Sequence, residues 1–91
     1  MTPITPESVL RVHGRVSIRP EPFGALLYHF GTRRLSFLKS PVLLHVVESL
    51  GEGRTVAQAL DDADVAPQQR PGVLRALATL RESEMLVEEA A

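Results

Sequence analysis

The stretch FGALLYHFGTRRLSFL, Phe23 to Leu38, decides the fold. Phe23 to Phe30 is rich in aromatic and aliphatic residues and reads as a strand. Gly31-Thr32 follows, with glycine at the first central position of a two-residue turn, the type II′ hairpin signal. Arg33 to Leu38 is then the returning strand. A two-residue turn sets Phe30 opposite Arg33, Tyr28 opposite Leu35 and Leu26 opposite Phe37. These pairs share one face and contain the large apolar residues, so the register predicts a core face of Leu26, Tyr28, Leu35 and Phe37. Leu27, His29, Arg34 and Ser36 are assigned to the other face.

Upstream, Arg11 to Arg19 alternates with period two. Val12, Val16 and Ile18 fall on one side, and Arg11, His13, Arg15, Ser17 and Arg19 on the other. This predicts one strand, wet on one face, ended by Pro20 and Pro22. Residues 1–9, with Pro3 and Pro6, read as a flexible lead-in. Downstream the period changes at Ser40, an N-cap followed by Pro41 at the first helical position. A helix is predicted over Val42–Leu50, stopped by Gly51 and Gly53. Thr55-Val56-Ala57-Gln58 is a capping box that opens a second helix, running to about Ala63. Asp64 to Pro67 is a turn. A third helix, from Gln68 or Gly72 to Ser83, carries an apolar stripe of Val73, Leu74, Leu77, Ala78 and Leu80. Met85-Leu86-Val87 forms a short closing segment before an acidic tail, 88–91.

Three strands followed by three helices make an α+β domain, an antiparallel meander with helices on one face, over residues 10–87. Ninety-one residues allow one domain with one modest core. The chain has no cysteine, which removes thiolate zinc sites and cysteine nucleophiles. MTPITPESVL lacks the basic and apolar regions of a signal peptide. Pro41–Val47, the longest nearly apolar run, is too short to span a bilayer. The expected location is the cytoplasm. Net charge is −1, but residues 1–54 hold seven basic and four acidic residues, and residues 55–91 three and seven. Such polarity suits docking of charged partners.

Catalysis finds little support. No serine sits in a glycine-flanked nucleophile elbow. Asp61, Asp62 and Asp64 read as solvated acids at a helix end. His13 and His29 are placed to meet across strands on the wet face, and two imidazoles alone make a weak metal site. Gly51-Glu52-Gly53 lacks the lysine of a phosphate loop. No enzyme activity and no cofactor are expected. The second and third helices, joined by a short turn, also admit a DNA-binding reading, with Gln68, Gln69, Arg70, Arg75 and Arg81 facing the duplex. The net −4 of residues 55–91 opposes it.

The third strand is more informative. In a meander it is an edge, and an exposed edge can recruit an extended peptide by strand addition. Pattern alone leaves Arg33–Leu38 undecided between core and binding edge.

The stretch RPEPFGALLYHFGTRRLSFLKSP (Arg19–Pro41), followed by TVAQAL and ALATLRESEML, resembles the mycofactocin precursor-peptide chaperones. These are RiPP recognition elements, similar to the pyrroloquinoline quinone peptide chaperones. The resemblance covers about residues 10–87 and implies a winged-helix-like fold. It implies a leader peptide docked on the third strand, beside the third helix, and presented to a radical S-adenosylmethionine (SAM) maturase. The ladder would be Arg34, Leu35, Ser36, Phe37 and Leu38, and the groove wall Val73, Leu74, Leu77 and Arg81. Arg33, Arg34, Arg70 and Arg75 would meet leader carboxylates. The partners implied are the precursor peptide and the maturase, with neither nucleic acid nor membrane.

Overall fold

The hairpin forms in the predicted register, but its turn is longer and its two faces are exchanged. The computed structural model describes residues 3–89; residues 1–2 of the lead-in and 90–91 of the acidic tail lie outside the described residues. Strands β2 (Val16–Glu21), β3 (Gly24–His29) and β4 (Leu35–Leu38) form an antiparallel sheet in the order β2-β3-β4. Tyr28 lies opposite Leu35 and Leu26 opposite Phe37.

The predicted two-residue turn is instead the loop 30–33. It is closed by the Arg33 N–H donating to the His29 carbonyl at 2.7 Å and the His29 N–H donating to the Arg34 carbonyl at 2.9 Å. The left-handed residue is Arg33, at φ 63°, and not Gly31. The imidazole of His29 is the cause. Its Nδ1 accepts from the Gly31 N–H at 3.0 Å and the Thr32 N–H at 3.1 Å, folding the loop over the ring. A Cβ on Gly31 would stand 2.8 Å from His29 Cε1. Glycine is needed there for close approach rather than for its dihedral freedom.

The exchange of faces follows from β2. Ile18 pairs with Leu27 and Val16 with His29, while Ser17 pairs with Tyr28 and Arg19 with Leu26. The apolar side of β2 therefore continues into Ala25, Leu27, His29 and Leu38, all buried. Leu35 and Phe37, assigned to the core by the hairpin alone, are instead 50% and 56% exposed.

The single strand predicted over Arg11–Arg19 is two strands. A turn at Gly14-Arg15 separates β1 (Leu10–Val12) from β2, and the His13 Nδ1 accepts from the Arg15 N–H at 3.0 Å. β1 pairs antiparallel with β5 (Leu86–Glu88), the closing segment, in a second, two-stranded sheet. That ribbon is an addition to the expected meander. Pro20 lies inside β2 rather than beyond it. The alternation of the ladder turns its nitrogen to the free edge, where no donor is missed.

Three helices follow: α1 (Pro41–Ser49), α2 (Val56–Asp62) and α3 (Arg70–Glu82), the last entered through a tight turn at Pro67–Gln69. The N-caps of α1 and α2 are those expected, while α3 starts at Arg70, between the predicted Gln68 and Gly72. Ser40 Oγ accepts from the Leu43 N–H at 3.2 Å, and Thr55 and Gln58 satisfy each other's backbone amides at 3.2 and 2.8 Å. Losing half of that box in Thr55→Ala is expected to cost about 1 kcal/mol, read as a lower urea midpoint with unchanged slope. Leu27, Leu38, Val46, Val47, Leu60, Leu77 and Met85 form the centre of one core. The lead-in runs along the start of α2, with Ile4 buried and the Pro6 and Ser8 carbonyls accepting from Ala57 and Val56. The fold is α+β, with its three-stranded sheet open along β4.

Candidate functional site

Among the described residues, β4 pairs with β3 on one side and with no strand on the other. The direction of its backbone groups follows from the ladder. The His29 N–H bonds the Arg34 carbonyl, so the hydrogen-bonded pairs continue as Leu27–Ser36 and Ala25–Leu38. On the other side of β3, the Phe30 N–H bonds the Arg15 carbonyl, which turns the even-numbered residues of β3 toward β2. Both observations agree. The N–H and C=O groups of Leu35 and Phe37 point to the open edge.

Beyond that edge lies a groove between β4, the start of α1 and one flank of α3. It consists of two adjoining depressions that share Leu43 and Ala76. One, of about 370 Å³, is walled by Ser36, Phe37 and Leu38 on the strand side and by Ala76, Thr79 and Leu80 on the helix side. The other, of about 450 Å³, continues past Ser40 and Val42 to Gln68, Gly72, Val73 and Arg75. The row Gly72, Ala76 and Thr79 explains why a groove exists at all. These small residues recur at spacings of four and three along one side of α3, leaving space beside the strand. No acidic side chain lines either depression.

The charges around the edge are basic. Arg33 and Arg34 precede β4, Lys39 follows it, and all three are exposed. Arg75 stands on the groove wall. Among the described residues, none of these four side chains pairs with a carboxylate, whereas Arg19, Arg54, Arg70 and Arg81 each do. The site therefore combines an unsatisfied backbone edge, an apolar trench and cations at both ends.

The residues named from sequence divide. Arg33, Arg34, Leu35, Ser36, Phe37 and Leu38 lie along the edge strand and its approach, and Val73 and Arg75 line the groove. Leu74 packs against the core, and Leu77 is fully buried within it. Arg70 turns away to Asp61, at 2.9 Å, and to the Val65 carbonyl. Arg81 reaches Glu88 on β5 at 3.0 Å. Val42, Leu43, Ala76, Thr79 and Leu80 also line the groove, and the sequence reading does not name them for it. The row of small residues was the available signal; the apolar stripe one position over marks the core side.

Other candidate chemistry is placed elsewhere. His13 and His29 do meet, with ring centroids 4.3 Å apart, but His29 is buried on the core side rather than on the wet face. The Nδ1 of each ring already accepts backbone N–H groups. Asp61 and Asp62 hold Arg70 and Arg54. No group of three or more His, Asp or Glu among the described residues is arranged to hold a metal. Among the described residues, no helix is long and apolar enough to cross a membrane. The pairing of Arg70 and Arg81 also withdraws two of the cations that a DNA-reading α3 requires.

Residues 9–87 match the model of the peptide chaperone MftB family. The peptide chaperone MftB of Mycolicibacterium smegmatis is 51% identical over 82 residues, covering 90% of this chain and 80% of the relative. The protein of the same description from Mycobacterium ulcerans is 49% identical over 86 residues, 94% of this chain and 79% of the relative. That from Mycobacterium tuberculosis is 48% identical over 82 residues, 90% and 75% respectively. No solved structure matches significantly. These relatives are peptide chaperones and none is described as a DNA-binding protein. With a family match that spans both sheets and all three helices, the chain belongs to the peptide chaperone MftB family.

Proposed function

We propose that the chain binds the leader of the mycofactocin precursor peptide as an added strand on β4 and presents it to a radical SAM maturase. It acts in the cytoplasm on a winged-helix-like scaffold, with no turnover of its own. The observation that carries this reading is the open edge of β4 beside an apolar groove, in a chain of a peptide chaperone family. The mechanism is tethering. Holding the leader raises the effective concentration of the core peptide at the maturase without any new chemistry in the chaperone.

The division of labour follows from magnitudes. Leu35 and Phe37 offer two outward N–H and two outward C=O groups. At about 1 kcal/mol net for each hydrogen bond, these supply about 4 kcal/mol, which alone corresponds to about millimolar affinity. Backbone pairing therefore fixes register, and side chains in the groove supply most of the affinity. Arg33, Arg34, Lys39 and Arg75 fit a leader with carboxylates flanking its apolar segment, and speed its capture.

The test is fluorescence polarisation with a labelled full-length mycofactocin precursor peptide and, separately, a labelled DNA duplex. The peptide is expected to bind, with modest dependence on salt. Binding of the duplex alone, weakening steeply with salt, would replace this reading by a DNA-binding one. Ala76→Trp fills the groove from α3 without entering the core, and is expected to weaken the peptide by about tenfold or more, a loss of about 1.4 kcal/mol, at an unchanged melting temperature.

A further inference from the structure

We propose that the outer face of β4, formed by the Leu35 and Phe37 side chains, is a second side-chain reading surface for the bound peptide, on the other face of the strand from Ser36 and Leu38 and meeting the rim of the groove at Phe37. This rests on the strand-addition reading above. It starts from the exchange of faces: Leu35 and Phe37 do not fill the core but stand 50% and 56% exposed on an edge strand. Edge strands ordinarily carry charge, proline or a bulge on such positions, because exposed apolar edges invite unwanted pairing. Here the apolar surface is continuous. Half-buried Leu26 lies directly across from Phe37, and the Phe23 ring is 6.4 Å from that of Phe37.

Strand geometry makes the consequence unavoidable. Successive side chains of an added strand point to opposite faces. One set enters the groove beside Ser36 and Leu38. The other set must land on the outer face, where directly opposed side chains come within about 5 Å. Their neighbours there are Leu35 and Phe37, whose own backbone groups make the ladder. An occupant read this way is apolar at consecutive positions, as in strands buried on both faces, and not at every second one.

A second copy of this chain is the competing occupant. Antiparallel pairing of two β4 edges with Leu35 of each opposite Phe37 of the other brings Arg33 of each against Lys39 of the other. Like charges directly opposed destabilise such a pair. The same cations at both ends favour an apolar segment flanked by acids, which is the occupant proposed.

The experiment uses the labelled full-length mycofactocin precursor peptide with Phe37→Ser, Leu35→Ser and Ala76→Trp chains. Each serine variant is expected to bind about tenfold more weakly while melting at the wild-type temperature, since neither side chain is in the core. In Phe37→Trp, saturation with the peptide is expected to shift indole emission to the blue. If Ala76→Trp loses affinity while both serine variants stay within twofold of wild type, the groove reading stands and the second surface is refuted. If wild type itself does not bind, the strand-addition reading fails and takes this inference with it. If wild type sediments as a dimer that Phe37→Ser dissociates, with peptide affinity unchanged, the outer face belongs to self-association and the proposal is overturned.

Discussion

A Leu35→Pro chain is expected to fold and to bind the precursor peptide at least about 100-fold more weakly, a loss of about 2.7 kcal/mol. The Leu35 N–H points to the open edge, so proline removes a donor that β3 does not use. An incoming carbonyl would be left unpaired, at about 1–3 kcal/mol, and the pyrrolidine ring occupies the space where the peptide backbone must lie. Leu35→Ser keeps the amide and loses the side chain, so the excess loss in proline over serine isolates strand addition. Ser36→Pro behaves differently. Its amide faces Leu27, and its loss breaks the β3–β4 ladder inside the fold. That variant is expected to melt several degrees lower, as about 1–2 kcal/mol shifts a domain of this size. Equal affinity for both proline variants, with circular dichroism showing both folded, would count against a peptide strand on β4.

The same ladder shows what the sequence carried and what it withheld. The register of Tyr28 with Leu35 and Leu26 with Phe37 was legible because the loop is centred between Gly31 and Thr32, so a two-residue turn and the loop 30–33 share one pairing. Which face became core was not decided by that pair of strands, since both faces carry apolar residues. β2 decides it, and its alternation was readable: Val16 and Ile18 on one side, Ser17 and Arg19 on the other. Extending the register through the Glu21–Gly24 turn sets Ile18 against Leu27 and Arg19 against Leu26. The dry face is then Ala25, Leu27 and Leu38. Aromatic bulk does not mark burial in this hairpin, since Phe23, Phe30 and Phe37 are all exposed.

The turn and the split first strand failed for a different reason. Both depend on histidine side chains accepting backbone N–H groups two or three residues on, a tertiary detail that dipeptide preferences do not encode. The N-caps of α1 and α2, in contrast, are local and were read to the residue, whereas α3 begins at Arg70 with no side-chain cap to mark it. The groove lies between these cases. The apolar stripe of α3 identified its buried side, while the adjoining row of Gly72, Ala76 and Thr79, too small to draw notice as a hydrophobic pattern, forms the wall that faces β4. Arg70 and Arg81 were drawn away by Asp61 and Glu88, acids that are remote enough in sequence to be unpairable by spacing.

Gly24→Ala is expected to give the largest loss of stability of any glycine-to-alanine substitution in the chain. Gly24 is buried at the start of β3, with φ at 148°, a backbone conformation nearly restricted to glycine. A Cβ there would overlap the Leu38 carbonyl oxygen and stand 2.9 Å from both the Leu38 carbonyl carbon and the Ser40 N–H nitrogen. All of these are backbone atoms, so no side chain can swing aside. Relief requires moving the end of β4 or the N-cap of α1. The expected penalty exceeds about 4 kcal/mol, in the range reserved for strain at special dihedrals and core overpacking. That lowers the melting temperature by about 15 °C or more. Gly14→Ala is the control: a Cβ on Gly14 meets nothing within 4 Å, and its φ is ordinary. A Gly24→Ala chain melting within about 2 °C of Gly14→Ala would show that the close approach of β3 to Leu38 is not what holds the edge strand in place. If instead the large loss is observed, the position of β4 is set by backbone contact at its C-terminal end. The outward amides of Leu35 and Phe37 then sit on a strand anchored at Leu38 by glycine and at Arg34 by the His29-closed loop. That gives a short edge the fixed geometry that strand addition requires.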